Sequence, residues 1–140
     1  MSDTFPDYGD QIRSAAEHYR GKRECSIRRA GDLFDFYARL FGDPRVPRHA
    51  KATVNAVLAY FVVPNDVLPE EEIGAFGLLD DLYVAAHALR QLRRDVPAEV
   101  LLEAWHGEGD LDEVMAEVHA DSRAEIGKRC REVLRMAGLA

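Results

Sequence analysis

The sequence predicts an all-α protein, a single-domain bundle of five or six helices around a central antiparallel helical hairpin. Three observations carry that prediction. Apolar residues recur at three- and four-residue steps along most of the chain, the alternation of a half-buried strand is almost absent, and proline and glycine fall between the periodic stretches. At 140 residues, one domain (1–140) can bury about two-thirds of its unfolded surface.

The elements follow in order. Residues 7–20 form a first helix with Ile12, Ala15, Ala16 and Tyr19 inward, ended by Gly21. A second helix starts at Cys25, carries Ile27, Ala30, Phe34, Tyr37 and Phe41 on its core stripe, and closes at Gly42-Asp43-Pro44. Pro47 suits the first turn of a third helix, which runs to about Val62 with Val54, Val57, Leu58 and Phe61 inward. Two prolines and a glycine between Pro64 and Gly74 forbid a continuous helix and define a turn. The fourth helix spans about 75–94, with Leu78, Leu82, Ala85, Leu89 and Leu92 as its stripe. Asp95 and Pro97 break it, a short helix ends near His106-Gly107, and Asp110 caps a last amphipathic helix over about 110–137. That helix carries Met115, Val118, Ser122, Ile126, Cys130, Val133 and Ala137 on one face.

Composition narrows the function classes. Apolar residues at 47% and charged residues at 31% are globular values. A formal charge of −7 argues against nucleic-acid binding, which needs a basic face. The charge is graded: net values over 1–42, 43–95 and 96–140 are 0, −2 and −5, which leaves the N-terminal third as the anion-facing part. Cys25 and Cys130 fit no zinc spacing and read as buried free thiols in a reducing, cytoplasmic compartment. The acidic opening Met1-Ser2-Asp3-Thr4 is not that of a signal peptide, and the longest apolar run, 52–63, is shorter than the ~20 residues a membrane span needs.

The hairpin carries the most informative pattern. Between Lys51 and Arg90 there is no Lys or Arg, yet the stretch holds Asp66, Glu70, Glu71, Glu72, Asp80 and Asp81. Antiparallel packing of helices three and four puts Asp80 and Asp81 within about two turns of the tip, so carboxylates gather there without a local cation.

The order Pro47-x-x-Ala50-Lys51, Ala59-Tyr60, Pro64-x-Asp66-Val67-Leu68-Pro69, Gly77 and Asp80-Asp81 resembles the YkvA-like family, a bacterial helical domain of unknown function, over about residues 36–92. The resemblance implies a helical hairpin, usually very apolar and often predicted to sit at or in a membrane, and brings no settled activity. Asn55, the Glu70-Glu71-Glu72 run and His87 make this hairpin more polar than the family's usual one.

Each candidate site has a functional and a structural reading. Asp66, Asp80 and Asp81 supply oxygen ligands for a divalent metal ion, the one cofactor the sequence suggests; structurally, they are turn and helix-start carboxylates stabilised by free N–H groups. Arg20, Lys22, Arg23, Arg28 and Arg29 form either an anion patch or a solvated junction that balances the acidic C-terminal third. Glu103 and His106 make one Glu-x-x-His pair where a di-iron bundle needs two. Asp80, Tyr83, His87, Gln91 and Arg94 share a stripe of helix four opposite its leucines, expected to face solvent; the functional reading is a proton shuttle by His87, two turns from Asp80, if both faced a cleft. No phosphate-binding glycine loop, nucleophile elbow or zinc-protease motif is present.

The favoured expectation is a non-enzymatic protein-binding or oligomerising module, a homodimer or hetero-complex with Leu68, Ile73 and Phe76 in the interface. The alternatives are a carboxylate-metal enzyme using Asp66, Asp80 and Asp81, and peripheral association of the hairpin with a membrane surface. No small-molecule ligand is legible.

Overall fold

The computed structural model describes residues 4–62 and 78–139. Among the described residues the chain is helical and has no strand. Helix α1 spans Thr4–Glu17, α2 Glu24–Ile27, α3 Ala30–Gly42, α4 Arg48–Val62, α5 Leu78–Asp95, α6 Ala98–Ala104, α7 Leu111–Ile126 and α8 Cys130–Ala137. Six of these exceed seven residues, matching the expected number of principal helices.

The hairpin is antiparallel in its described part. His49 lies 3.5 Å from the Asp95 carboxylate, and the Thr53 hydroxyl donates to Gln91 Oε1 at 3.2 Å. Four residues forward on α4 thus match four back on α5. Pro47 precedes α4, and its carbonyl accepts the Lys51 N–H at 2.9 Å, so the missing proline donor costs nothing there.

Helix α5 is the centre of the bundle. Twelve of its residues are buried, from Leu78 through Leu92, including Leu82, Val84, Ala85 and Ala88 on different faces. A helix apolar nearly all round must be enclosed. Helix α7 covers it most extensively, α4 next, and α3, α2 and α8 close the remainder. Helix α3 is nearly as enclosed. Leu33, Phe34, Phe36, Tyr37 and Leu40 have no exposed surface, and the Tyr37 hydroxyl donates to the Ala85 carbonyl of α5 at 2.5 Å. Burial pushes the Tyr37 phenol far above its ordinary range, so it remains a donor. Helix α1 lies on α3, where Gly31 permits close approach: a Cβ there would stand 2.9 Å from Arg13 Cβ. Arg13 then spans Asp32 and Asp35 at 3.0 and 2.8 Å.

Four expectations are corrected. The helix predicted from Cys25 to Phe41 divides after Ile27, because α2 is tied to α7 and not to the continuation of α3. The Ser26 hydroxyl donates to Asp121 at 2.6 Å, and Arg23 enters the segment in the left-handed region at φ 61° to reach the same helix. Phe41, assigned to the core stripe, is 38% exposed. The last helix is not continuous over 110–137: Gly127, at φ 63° and ψ −125°, ends α7, and a 3-10 turn at Gly127–Arg129 leads into α8. Cys25 is exposed and Cys130 is only partly buried against the core, so neither is the buried thiol expected. The Asp110 cap stands as predicted, its side chain accepting the Glu113 N–H.

Leu82→Ala should lower unfolding free energy by about 2–5 kcal/mol, since the cavity it leaves opens at the centre of the bundle. Gly127→Ala should cost about 1–3 kcal/mol, because its backbone conformation belongs to glycine. Denaturant melts followed by circular dichroism, with a helical baseline free of strand signal, measure both.

Candidate functional site

Asp80 and Asp81 occupy the first turn of α5, where the helix dipole favours carboxylates, as the sequence suggested. Their burial was not expected: Asp80 is 0% and Asp81 1% exposed. Neither lacks an interaction partner. Tyr60, from the last turn of α4, is buried at the same end of the hairpin. Asp66, the proposed third ligand, lies outside the described residues, as do Glu70, Glu71 and Glu72 and the proposed interface residues Leu68, Ile73 and Phe76. Among the described residues, no three His, Cys, Asp or Glu side chains are grouped to hold a metal ion.

The stripe of α5 expected to face solvent is largely covered. Asp80 and Tyr83 are buried, His87 and Gln91 are half-buried, and only Arg94 is exposed. The cover comes from the far end of the sequence. His119 of α7 stacks on the Tyr83 ring, with centroids 5.2 Å apart and planes 26° from parallel. His87 lies 6.2 Å from the same ring. Burial raises the Tyr83 phenol above its ordinary value, and the Cys130 thiol beside it adds to the shift. Burial lowers the His87 imidazole, with Arg90 contributing. His119 is lowered by burial first, then by Arg90, His87 and Arg123. Both rings therefore hold a proton less readily than an exposed histidine does.

Beside this stack a cleft of about 330 Å³ opens between α5 and α7. Ala86 and Leu89 of α5 and Met115 of α7 form its floor, while Arg90, Arg93, Asp112 and His119 surround it. Arg93 pairs with Asp112. Sequence reasoning did not find this site, because its two walls are about 25 residues apart and neither carries a motif. The legible signal was His119, one turn beyond Met115 and beside the predicted buried face of the last helix.

The basic residues near Gly21 reach different partners. Lys22 pairs with Glu125 at 3.3 Å, and Arg23 with Asp121 and Glu125 at 3.1 and 2.9 Å. Arg28 pairs with Glu24, and Arg29 approaches Asp32 while donating to the Glu108 carbonyl at 2.7 Å. Arg20 donates to the carbonyls of Glu17 and Tyr19. Burial would raise the Glu125 carboxyl, but Arg23 and Lys22 together outweigh it and hold the group below its usual range. Glu103 and His106 do not act as a ligand pair. The Glu103 carboxylate meets Arg45 at 2.7 Å, and the His106 ring contacts the Glu103 carbonyl.

The two lowered imidazoles predict a pH dependence. Their folded values lie below the ordinary 6.5, so between the unfolded and folded values the unfolded chain binds more protons. Stability from this source is complete above about pH 6.5 and is lost as pH falls through that window. Melting temperature should fall from pH 7.5 to pH 5.5, and His87→Gln and His119→Gln should each flatten the slope.

Residues 50–86 match the model of a protein family described as a protein of unknown function, DUF1232. The matched stretch takes in most of α4, the hairpin tip and the first half of α5. The chain is also 26% identical over 121 residues to the uncharacterized protein ORF9 of Methanothermobacter thermautotrophicus, a likeness covering 86% of this chain and 83% of that protein. No solved structure matches the chain. It is similar to proteins whose function is uncharacterised, and the similarity to the family is concentrated on the hairpin.

Proposed function

We propose that this chain is a non-enzymatic helical module that binds a protein partner, or a second copy of itself, through the tip of the α4–α5 hairpin, in the cytoplasm. The observation that carries the reading is an exposed apolar residue at the end of α4, where an apolar tract of the sequence continues. The bundle covers α5 along most of its length, whereas Val62, the last residue of α4, is 42% exposed. The sequence continues from there through Val63, Val67, Leu68, Ile73 and Phe76, more apolar positions than one helix pairing needs. The finer likeness to YkvA-like proteins, carried by Pro64-x-Asp66-Val67-Leu68-Pro69 and Asp80-Asp81, belongs to the same reading. Among the described residues no helix is long and apolar enough to cross a membrane, and liposome flotation separates partner binding from surface attachment.

Light scattering on the purified chain should give a mass above 15.7 kDa, or a defined complex should form with a co-purified partner. Phe76→Glu or Leu68→Glu should return the chain to a monomer or release the partner. A wild type that is strictly monomeric and retains no host protein overturns the proposal.

A second reading, a divalent metal held by Asp66, Asp80 and Asp81, is favoured by the burial of the last two. Carboxylates taken out of water are tolerated when strongly paired or when they coordinate a metal. Under that reading, Mg²⁺, Mn²⁺ or Zn²⁺ at 100 times its dissociation constant adds about 2.7 kcal/mol of stability, and Asp66→Asn abolishes the gain. Under the structural reading, melting is indifferent to metal, and Asp66→Asn costs about 0.5–2 kcal/mol as a lost turn bond.

A further inference from the structure

The cleft between α5 and α7 combines an apolar floor with a surplus of positive charge. Its volume, about 330 Å³, falls at the small end of ligand pockets, which span roughly 300–1,000 Å³. The floor is made by Ala86, Leu89 and Met115, all buried. Asp112 is the single carboxylate lining it, and that group is already paired with Arg93. The Arg90 side chain has no hydrogen bond or ion pair among the described residues, although it stands at the wall. The His119 ring lines the same space without a hydrogen bond to another described residue, and His87 lies one turn before Arg90. In a chain of formal charge −7, this is a local reversal of sign.

We infer that the α5–α7 cleft binds a small organic anion, a carboxylate or a phosphate monoester with a short apolar body, with Arg90 and His119 receiving the charge and Leu89 and Met115 the body.

Each part of the cleft excludes a different alternative. A bare inorganic anion makes no use of the apolar floor that Ala86, Leu89 and Met115 provide. A neutral apolar molecule covers that floor but makes no charge-assisted bond with the Arg90 guanidinium or the His119 ring. The guanidinium fork presents parallel donors to either carboxylate or phosphate oxygens. The groups facing His119 are Tyr83, His87 and Arg90 of α5 and Arg123 one turn along α7, with Cys130 of α8 beside Tyr83. That field is positive, so an anion relieves it, and binding strengthens as pH falls through the range where His119 takes its proton. The cleft lies toward the C-terminal half of α5, away from Asp80 and Asp81, so its occupancy does not depend on what the hairpin tip binds.

The test is a titration of the full chain followed by NMR at the His119 ring and the Arg90 side chain. Octanoate and phenyl phosphate are the anionic probes, octan-1-ol is the neutral counterpart, and inorganic phosphate is the anion without a body. At least one anionic probe should give saturable shifts at both groups, with octan-1-ol and inorganic phosphate binding at least about tenfold more weakly. Tighter octanoate identifies a carboxylate ligand, and tighter phenyl phosphate a phosphate ester. Arg90→Gln, at an exposed side chain, should keep the helical spectrum and lose about tenfold in affinity. Ala116→Leu, at the mouth, removes no charge and should also weaken binding. Absence of saturable shifts with both anions, equal binding of octan-1-ol, or unchanged affinity in Arg90→Gln overturns the inference.

Discussion

Helix α5 must be enclosed, and the architecture follows from that requirement. Its buried residues lie on every face, among them Leu79, Leu82, Val84, Ala85, Ala88 and Leu92, and no single neighbouring helix can shield such a cylinder. Helix α4 covers one side by sequence proximity, α7 folds back over another, and α3 runs beneath, fixed by the Tyr37 hydroxyl on the Ala85 carbonyl. Burying so much apolar surface is the main favourable term. It is also what carries Asp80 and Asp81 inside, because they share the first turn with Leu78 and Leu79.

Charge plays a different part. The N-terminal third is neutral and the C-terminal third strongly acidic, and folding brings the two together. Lys22 and Arg23 meet Asp121 and Glu125 across about a hundred residues of sequence, with Ser26 adding a hydrogen bond to Asp121. Partly exposed pairs of this kind contribute only about 0–1 kcal/mol each, so their effect lies in register more than in stability. They determine which face of α7 looks toward α2, and hence which face is turned to α5. The left-handed backbone of Arg23 is tolerated in that position because its side chain is held by two carboxylates.

One helix thereby serves two separate regions. The first turns of α5 belong to the hairpin stretch matched by the family of unknown function, with a buried carboxylate pair at its base. The later turns form a cleft with α7, where Arg90 and Arg93 change the sign of the local charge. The hairpin is local in sequence, so a family model can recognise it as one segment. The cleft is assembled from α5 and α7 and exists only in the folded chain.

Much of the fold was legible because it rests on local physics. Helical periodicity, Pro47 at a helix start, the Asp110 cap and the breaks around Gly42 and Pro97 each constrain a few neighbouring residues, and each stands in the structure. Reading failed where a distant partner decided the outcome. Cys25 and Phe41 fit a core stripe by spacing, yet that stripe divides because α2 answers to α7 and α3 to the interior. The polar stripe of α5 looked solvated, and only the arrival of His119 covered Tyr83. Gly127 was hidden inside an amphipathic pattern that continues across it, since period alone does not report a backbone angle. By itself the sequence determined the helices, the hairpin and the cation-free acidic stretch, all set by residues within a few turns of one another. The tertiary structure decided which carboxylates are buried, which cations are paired and where a cleft opens, because those depend on contacts between segments the chain order keeps apart.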